Sequence, residues 1–262
     1  MMRRRDFLTG IAAAGVCSAI APGLNLIAHR GGVVDAQRPE NSTAAINAAI
    51  ERGYWMIEVD VRRTKDGEPV LHHDPTLQRY YGDARRPEEL TWNELKTLKA
   101  QPGGGSPLHF DQACALCKGK MRLMLDLKGS DWPKEFYGRL LRIIEDQRIP
   151  GPIYSLGGER VKPLFDGRVV VSANRKTLAA AAERGENVKN DYFLFELGSE
   201  LDGEAVELCR KLQVVPAAAI NTFRYTMAKR DETQGPAEDV AKLRRLGVKH
   251  YQIDSRYEQL FD

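Results

Sequence analysis

Four short clusters, His29-Arg30-Gly31, Pro39-Glu40-Asn41-Ser42, Glu58-Val59-Asp60 and His73-Asp74, crowd into residues 29–74. Glu58 and Asp60 stand two apart in an apolar run. Side chains alternate faces along a strand, so both carboxylates point the same way. Two inward carboxylates this close repel unless a cation lies between them, and oxygen-only donors suit Mg²⁺ or Ca²⁺. Asp126 and Lys128, in Leu125-Asp126-Leu127-Lys128, repeat the two-residue spacing with an acid and a base. His29 and His73 bring imidazoles, which titrate near neutrality and suit general acid–base work. His72 and His73 are adjacent, so only one of them can face a common site from a strand. Arg30 can bind a phosphate bidentately or orient a metal-binding carboxylate. Glu40 and Asn41 precede a helix and can equally serve as its caps. Together these residue types fit oxygen-ligated metal chemistry on a phosphate.

The elements that must hold these residues follow from the apolar pattern. Eight strand-like runs are present: Leu24–Ala28, Trp55–Val61, Met121–Leu127, Pro152–Leu156, Arg168–Ser172, Tyr192–Leu197, Val214–Ile220 and His250–Ile253. Several are short and continuously apolar, as expected of strands buried on both faces. Helical patterns separate most of them, including Thr43–Arg52, Trp132–Gln147 and Ala237–Leu246. Eight strand–helix units in one chain predict an α/β fold, a (β/α)8 TIM barrel, whose active sites are built at the C-terminal strand ends. A doubly wound open sheet is the alternative. The fourth unit is weak, because Gly157–Asp166 is short for a crossover helix. Glu196 and Asn221 end predicted strands six and seven and are expected to reach the site.

Between strands 2 and 3 the chain makes a β-hairpin/helix excursion, Thr64 to Lys120. Asp66-Gly67 reads as a tight hairpin turn. Thr91-Trp92-Asn93-Glu94 is a capping box opening a helix to about Ala100. The glycine-rich stretch 102–107 reads as mobile loop. Tyr80, Tyr81 and Trp92 in this excursion are expected substrate contacts.

Composition bounds the rest. The chain has 262 residues, 42% apolar and 29% charged, which is ordinary for a globular protein able to bury its own core. Arg4-Arg5-Asp6-Phe7-Leu8, the apolar stretch to Ala21 and the small-x-small Ala19-Ile20-Ala21 read as a twin-arginine-type signal peptide over residues 1–21. Residues 22–262 then form the barrel domain, exported to the periplasm or secreted. The leader holds three of the 39 basic and one of the 36 acidic residues, leaving 36 against 35. That balance argues against nucleic acid or a polybasic membrane contact. No stable membrane insertion is expected after the leader is removed. Cys114-x-x-Cys117 stands alone in a predicted helix, without the second pair that zinc wants. It reads as two small buried hydrophobes, with a local disulfide open to it after export.

Read in order, Ile27-Ala28-His29-Arg30-Gly31, Pro39-Glu40-Asn41-Ser42, Ile57-Glu58-Val59-Asp60-Val61, Thr64-Lys65-Asp66-Gly67 and Val70-Leu71-His72-His73-Asp74 resemble the glycerophosphodiester phosphodiesterase family. The resemblance covers residues 27–77 well, and 121–128 and 247–254 more loosely. It implies a metal-dependent hydrolase that cleaves a small-molecule glycerophosphodiester to sn-glycerol 3-phosphate and an alcohol. It implies one divalent cation, Mg²⁺ or Ca²⁺, on Glu58, Asp60 and Asp126. His29 and His73 become the catalytic pair, with His73 chosen over His72 because His-Asp is the family pattern. Arg30 and Lys128 fall near the phosphate and Glu40 behind the ligands. Two departures stand out. Asp126 replaces the family's glutamate, one methylene longer, and Ala217-Ala218-Ala219 lacks the aromatic that the family often carries in strand seven. A phospholipase D-like lipid phosphodiesterase on the same fold, or a phosphodiester-binding protein that has lost turnover, are the alternatives.

Overall fold

The computed structural model describes residues 23–101 and 103–262. The proposed leader and Pro102 of the glycine-rich loop lie outside the described residues. Ten strands form: β1 (Asn25–Ala28), β2 (Met56–Arg63), β3 (Pro69–Leu71), β4 (Leu108–His109), β5 (Arg122–Leu127), β6 (Tyr154–Ser155), β7 (Val170–Ala173), β8 (Tyr192–Leu197), β9 (Val215–Ile220) and β10 (His250–Ile253). Eight of them, β1, β2 and β5 to β10, run parallel and close into a barrel, because β1 pairs with both β2 and β10. Closure excludes the open doubly wound sheet and establishes the (β/α)8 architecture.

Alternation along these strands sorts the core into two layers. Leu26, Ile57, Val59, Leu125, Val171, Leu194 and Tyr251 point outward, where helices such as Thr43–Glu51 and Lys134–Asp146 cover them. Ile27, Met56, Met124, Tyr154, Phe193 and Ala217 point inward and fill the barrel. The fourth crossover is, as the short segment predicts, a pair of 3-10 turns, Gly158–Arg160 and Lys162–Phe165.

The excursion is a small antiparallel sheet raised on the top of the barrel. β2 outruns its neighbours, and its last residues pair with β3. The turn is set by Thr64, whose hydroxyl bonds Asp66 at 2.5 Å, and by Gly67 at φ +87°. β4 extends the sheet. Val70, Leu77, Leu90 and Leu95 give the excursion its own apolar cluster.

Two helix boundaries differ by three residues or more from the sequence expectation. The helix opened by the Thr91–Glu94 capping box spans only Trp92–Leu95. Beyond it the bonds shorten to the i+3 pattern, Thr97 to Glu94 and Leu98 to Leu95, which turns Leu98 onto the apolar cluster. The last long helix starts earlier than predicted, at Gln234. Asp231 accepts from the Thr233 and Gln234 amides, so Pro236 falls in the first turn, where its missing N–H is not needed.

Candidate active site

The His29-Arg30-Gly31 motif is a sharp bend at the top of β1. Arg30 is left-handed at φ 54° and Gly31 follows at +79°. A Cβ on Gly31 would lie 2.6 Å from the Asn41 Cα, and one on Gly32 only 2.2 Å from the Ala45 carbonyl. These glycines let the bend touch the start of helix Thr43–Glu51, which Ser42 caps. Asn41 does not cap the helix. Its amide side chain donates to Asp60 Oδ2 at 2.7 Å and accepts from the Asp60 N–H at 3.2 Å.

Three carboxylates meet under this bend. Glu58 and Asp60 point inward from β2, and Asp126 stands opposite Asp60 in the β2–β5 register. Each offers an oxygen within 4.8 Å of the others. Glu58 and Asp60 are 1% and 0% exposed, whereas Asp126 reaches the opening. Glu58 Oε2 accepts the Arg30 N–H at 2.7 Å, and its buried Oε1 has no partner. Burial, then repulsion from Asp60 and Asp126, lifts the Glu58 carboxyl well above the usual range. Burial alone would lift Asp60 as well. Lys128 and His73 nearby, with hydrogen bonds from Lys128 and Asn41, instead hold it below its usual value. Lys128 Nζ lies 2.8 Å from Asp60 Oδ1 and 2.5 Å from Asp126 Oδ2. Lys128 thus bridges two of the three acids, and an aimed, buried oxygen of Glu58 is left over. An all-oxygen donor set with a surplus of negative charge fits a hard divalent cation.

Each predicted catalytic histidine is held by an aspartate through Nδ1. His29 donates to Asp254 Oδ1 at 2.6 Å, and its Nε2 faces Glu58 Oε2 at 4.0 Å. Asp254 also accepts the Thr222 N–H at 2.7 Å. The other pair is His73 with Asp74, at 2.8 Å. Burial works against the Asp74 charge, but hydrogen bonds from Arg79 and His73 keep its carboxyl down at about 2. Arg62 donates to the carbonyls of His73 at 3.0 Å and Lys128 at 3.4 Å, which ties the hairpin to the barrel. His72 turns away: it is buried, bonds the Thr76 carbonyl at 2.8 Å and packs on Tyr81.

The remaining predicted positions divide. Glu40 bonds both Arg30, at 3.0 Å, and Arg79. The Arg30 and Lys128 side chains, expected on a phosphate, are committed to carboxylates here. A cavity of about 430 Å³ opens beside His29, with Arg30, Arg79, Tyr80, Phe223 and Asp254 in its walls. Tyr80, expected as a substrate contact, lines this cavity. Trp92 does not: it packs edge-on against His109 in the excursion. Glu196 is also away from the site. β8 turns Phe193 and Phe195 inward, so Glu196 faces the outer helices and pairs with Arg175 at 2.9 Å. Asn221 stays near the top of the barrel and donates to Gln252 at 2.9 Å. Cys114 and Cys117 are buried free thiols in this structure, and burial pushes Cys117 up to about 12.

Asp254, Asp74 and Arg79 were not picked out as site residues from the sequence. Asp254 follows inward-facing Gln252 by two residues at a C-terminal strand end, a signal that parity could have read. Arg79 lies on a one-turn helix, Gln78–Tyr81, with no periodicity to mark it.

Comparison with known proteins agrees with this geometry. Residues 29–194, more than half the chain, match the model of the glycerophosphoryl diester phosphodiesterase family. Glycerophosphodiester phosphodiesterase 1 of Homo sapiens is 43% identical over 75 residues, 29% of this chain and 22% of that relative. The chain thus aligns with about a fifth of the length of that relative. A glycerophosphoryl diester phosphodiesterase from Parabacteroides distasonis superimposes with a TM-score of 0.69 at 22% identity, over 92% of this chain and 85% of that one. A phosphodiesterase from Oleispira antarctica, in complex with the product sn-glycerol 3-phosphate, gives 0.69 at 21% identity, over 90% and 94%. At these identities the structural likenesses speak for the fold. On the family match, the chain belongs to the glycerophosphoryl diester phosphodiesterase family.

Proposed function

We propose that this chain hydrolyses a glycerophosphodiester to sn-glycerol 3-phosphate and an alcohol, with one divalent cation, Mg²⁺ or Ca²⁺, held by Glu58, Asp60 and Asp126. The observation that carries the reading is the approach of His29 Nε2 to within 4.0 Å of Glu58 at the edge of a buried three-carboxylate cluster. Family membership and the product-bound Oleispira antarctica relative support the same chemistry.

Asp254 and Asp74 fix the Nδ1–H tautomers of His29 and His73, which leaves each Nε2 free to face a substrate. One imidazole takes the proton of the attacking oxygen, which is water directly or the substrate's own glycerol hydroxyl with water opening the cyclic phosphate afterwards, and the other returns a proton to the departing alkoxide. Arg30 and Lys128 stand at the rim as cations for the phosphate, each released from a carboxylate when negative charge arrives. The cation, when bound, offsets negative charge that develops on the phosphate oxygens. Glu40 and Arg79 hold the Arg30 and Asp74 sides of the opening in place. The Arg4-Arg5 leader supports a periplasmic or secreted site of action.

Release of sn-glycerol 3-phosphate from glycerophosphocholine tests the proposal. Turnover is expected with Mg²⁺ or Ca²⁺ and is expected to stop in excess chelator. Undiminished release in chelator, or no release from any glycerophosphodiester with either metal, contradicts it.

A further inference from the structure

Three arginine–aromatic neighbour pairs stand around the cavity at His29, each on a different segment. Arg79 and Tyr80 belong to the one-turn helix Gln78–Tyr81, Phe223 and Arg224 to the helix Thr222–Met227 after β9, and Arg256 and Tyr257 to the 3-10 segment Ser255–Phe261 after β10. In each pair the guanidinium lies over the neighbouring ring, at 4.5, 4.5 and 5.5 Å from its centroid. Arg79, Tyr80, Phe223 and Arg256 line the cavity itself, whose volume of about 430 Å³ leaves room for more than a phosphate group.

Open aromatic faces bind quaternary ammonium groups, and Tyr80 and Phe223 are placed to offer them. Each ring already carries a guanidinium, so a cationic alcohol such as choline would meet positive charge there. The cations differ in what holds them. Arg79 is committed to Glu40 and Asp74. Arg256 reaches Glu232 only at 3.4 Å, with both side chains more than a third exposed, and so exposed a pair is worth little. Among the described residues Arg224 pairs with no carboxylate, and its guanidinium rests on the Phe223 ring. The carboxylates in the cavity wall are occupied: Glu40 by Arg30 and Arg79, Asp254 by His29 and the Thr222 N–H. The part of a substrate that extends past the histidine therefore meets two weakly held guanidiniums and no uncommitted acid in the wall.

We propose that Arg224 and Arg256 form a subsite for a second phosphate, carried on the alcohol part of the substrate, so that an anionic alcohol is preferred over a neutral one and a neutral one over choline. The inference rests on the phosphodiester reading of the centre and adds to it the class of alcohol that leaves.

The test uses the full chain with added Mg²⁺ or Ca²⁺ and substrates that differ in the charge of the alcohol: bis(glycerophospho)glycerol, glycerophosphoglycerol and glycerophosphocholine. Initial release of sn-glycerol 3-phosphate is counted per scissile bond. At low ionic strength, the wild-type kcat/KM for the first is expected to exceed that for the last about tenfold, the product of two exposed ion pairs, with glycerophosphoglycerol between them. Arg224→Gln and Arg256→Gln should each lower that ratio about threefold, and added salt should lower it too. The readout is the ratio within each variant, so any general loss of turnover cancels. Arg210→Gln, on the outer helix Gly203–Leu212, removes the same charge elsewhere and should leave the ratio alone. An equal fall in Arg210→Gln would make the preference a property of the protein's overall charge and overturn the subsite. So would a wild type that treats the three alike or favours choline, or glutamine variants that keep the full ratio. Calorimetric binding of the same compounds needs no turnover. If none is cleaved, the hydrolysis reading fails. Binding that still grades with charge, and grades less in the glutamine variants, then upholds the subsite, and binding without that grading overturns it.

Discussion

Toward the N-terminal ends of the barrel strands, Ile27, Met56, Met124, Tyr154, Phe193 and Ala217 form a buried apolar floor, with the Tyr154 and Phe193 rings stacked at 4.3 Å. Toward the C-terminal ends, the next inward positions are His29, Glu58, Asp60 and Asp126. One step of side-chain alternation separates Met56 from Glu58 and Met124 from Asp126. The floor gains roughly 1.5–3 kcal/mol for each large side chain it buries. The mouth costs stability, because Lys128 pairs with only Asp60 and Asp126 of the three acids and Glu58 keeps an unpaired buried oxygen. The difference teaches a division of labour within single strands. A buried apolar floor holds the backbone, and that backbone brings three carboxylates together at the mouth.

Substitutions at the two ends should therefore fail in different ways. His29→Ala and His73→Ala should each lower turnover about 10²–10⁴-fold, the usual worth of general acid–base catalysis, with little change in the denaturation midpoint. Steady-state rates on glycerophosphocholine and urea unfolding check both halves. If both variants stay fully active, the two-histidine mechanism is wrong. Phe193→Ala in the floor should do the converse, costing about 3–5 kcal/mol of stability by opening a cavity. A floor variant that unfolds like the wild type would mean that the interior layer does not carry the fold.

The smallest effect concerns the one histidine near the floor. His250 packs on Trp55 and bonds Asn25. Burial, aided by Lys249, holds its imidazole down at about 4 against an ordinary 6.5. Between those values the unfolded chain takes up a proton that the folded chain refuses. Stability present above pH 6.5 is therefore lost as the pH falls toward 4. The loss should be about 1–3 kcal/mol, and His250→Gln should flatten that part of the pH–stability profile. Superimposable profiles for the two proteins would remove His250 from the account.

Much of the mouth was legible in the sequence because it depends on local parity. Glu58 and Asp60 share a face of any strand that holds them, and Asp126 needed only the parallel β2–β5 register to join them. Asp254 was harder, since it meets His29 across 225 positions, and only barrel closure makes β1 and β10 neighbours. Glu196 was misplaced for a related reason. A strand buried on both faces does not reveal in its composition which parity faces the barrel axis, and in β8 the phenylalanines took the inside. The excursion resisted reading because Arg79 and the shortened Trp92–Leu95 helix are fixed by a small local cluster and by ion pairs rather than by periodicity.

The central claim is that the mouth is a strained, acidic cage awaiting a cation. The most direct test is the unfolding free energy of wild type and Glu58→Gln, each in chelator and in saturating Mg²⁺ or Ca²⁺. In chelator the variant should be the more stable protein, by about 1–4 kcal/mol, because it removes a buried acid with no adequate partner. With cation at a hundred times its dissociation constant, the wild type should gain about 2.7 kcal/mol and the variant much less. The variant's advantage should then shrink or reverse. A wild type at least as stable as Glu58→Gln in chelator, with neither protein responding to metal, would contradict the account.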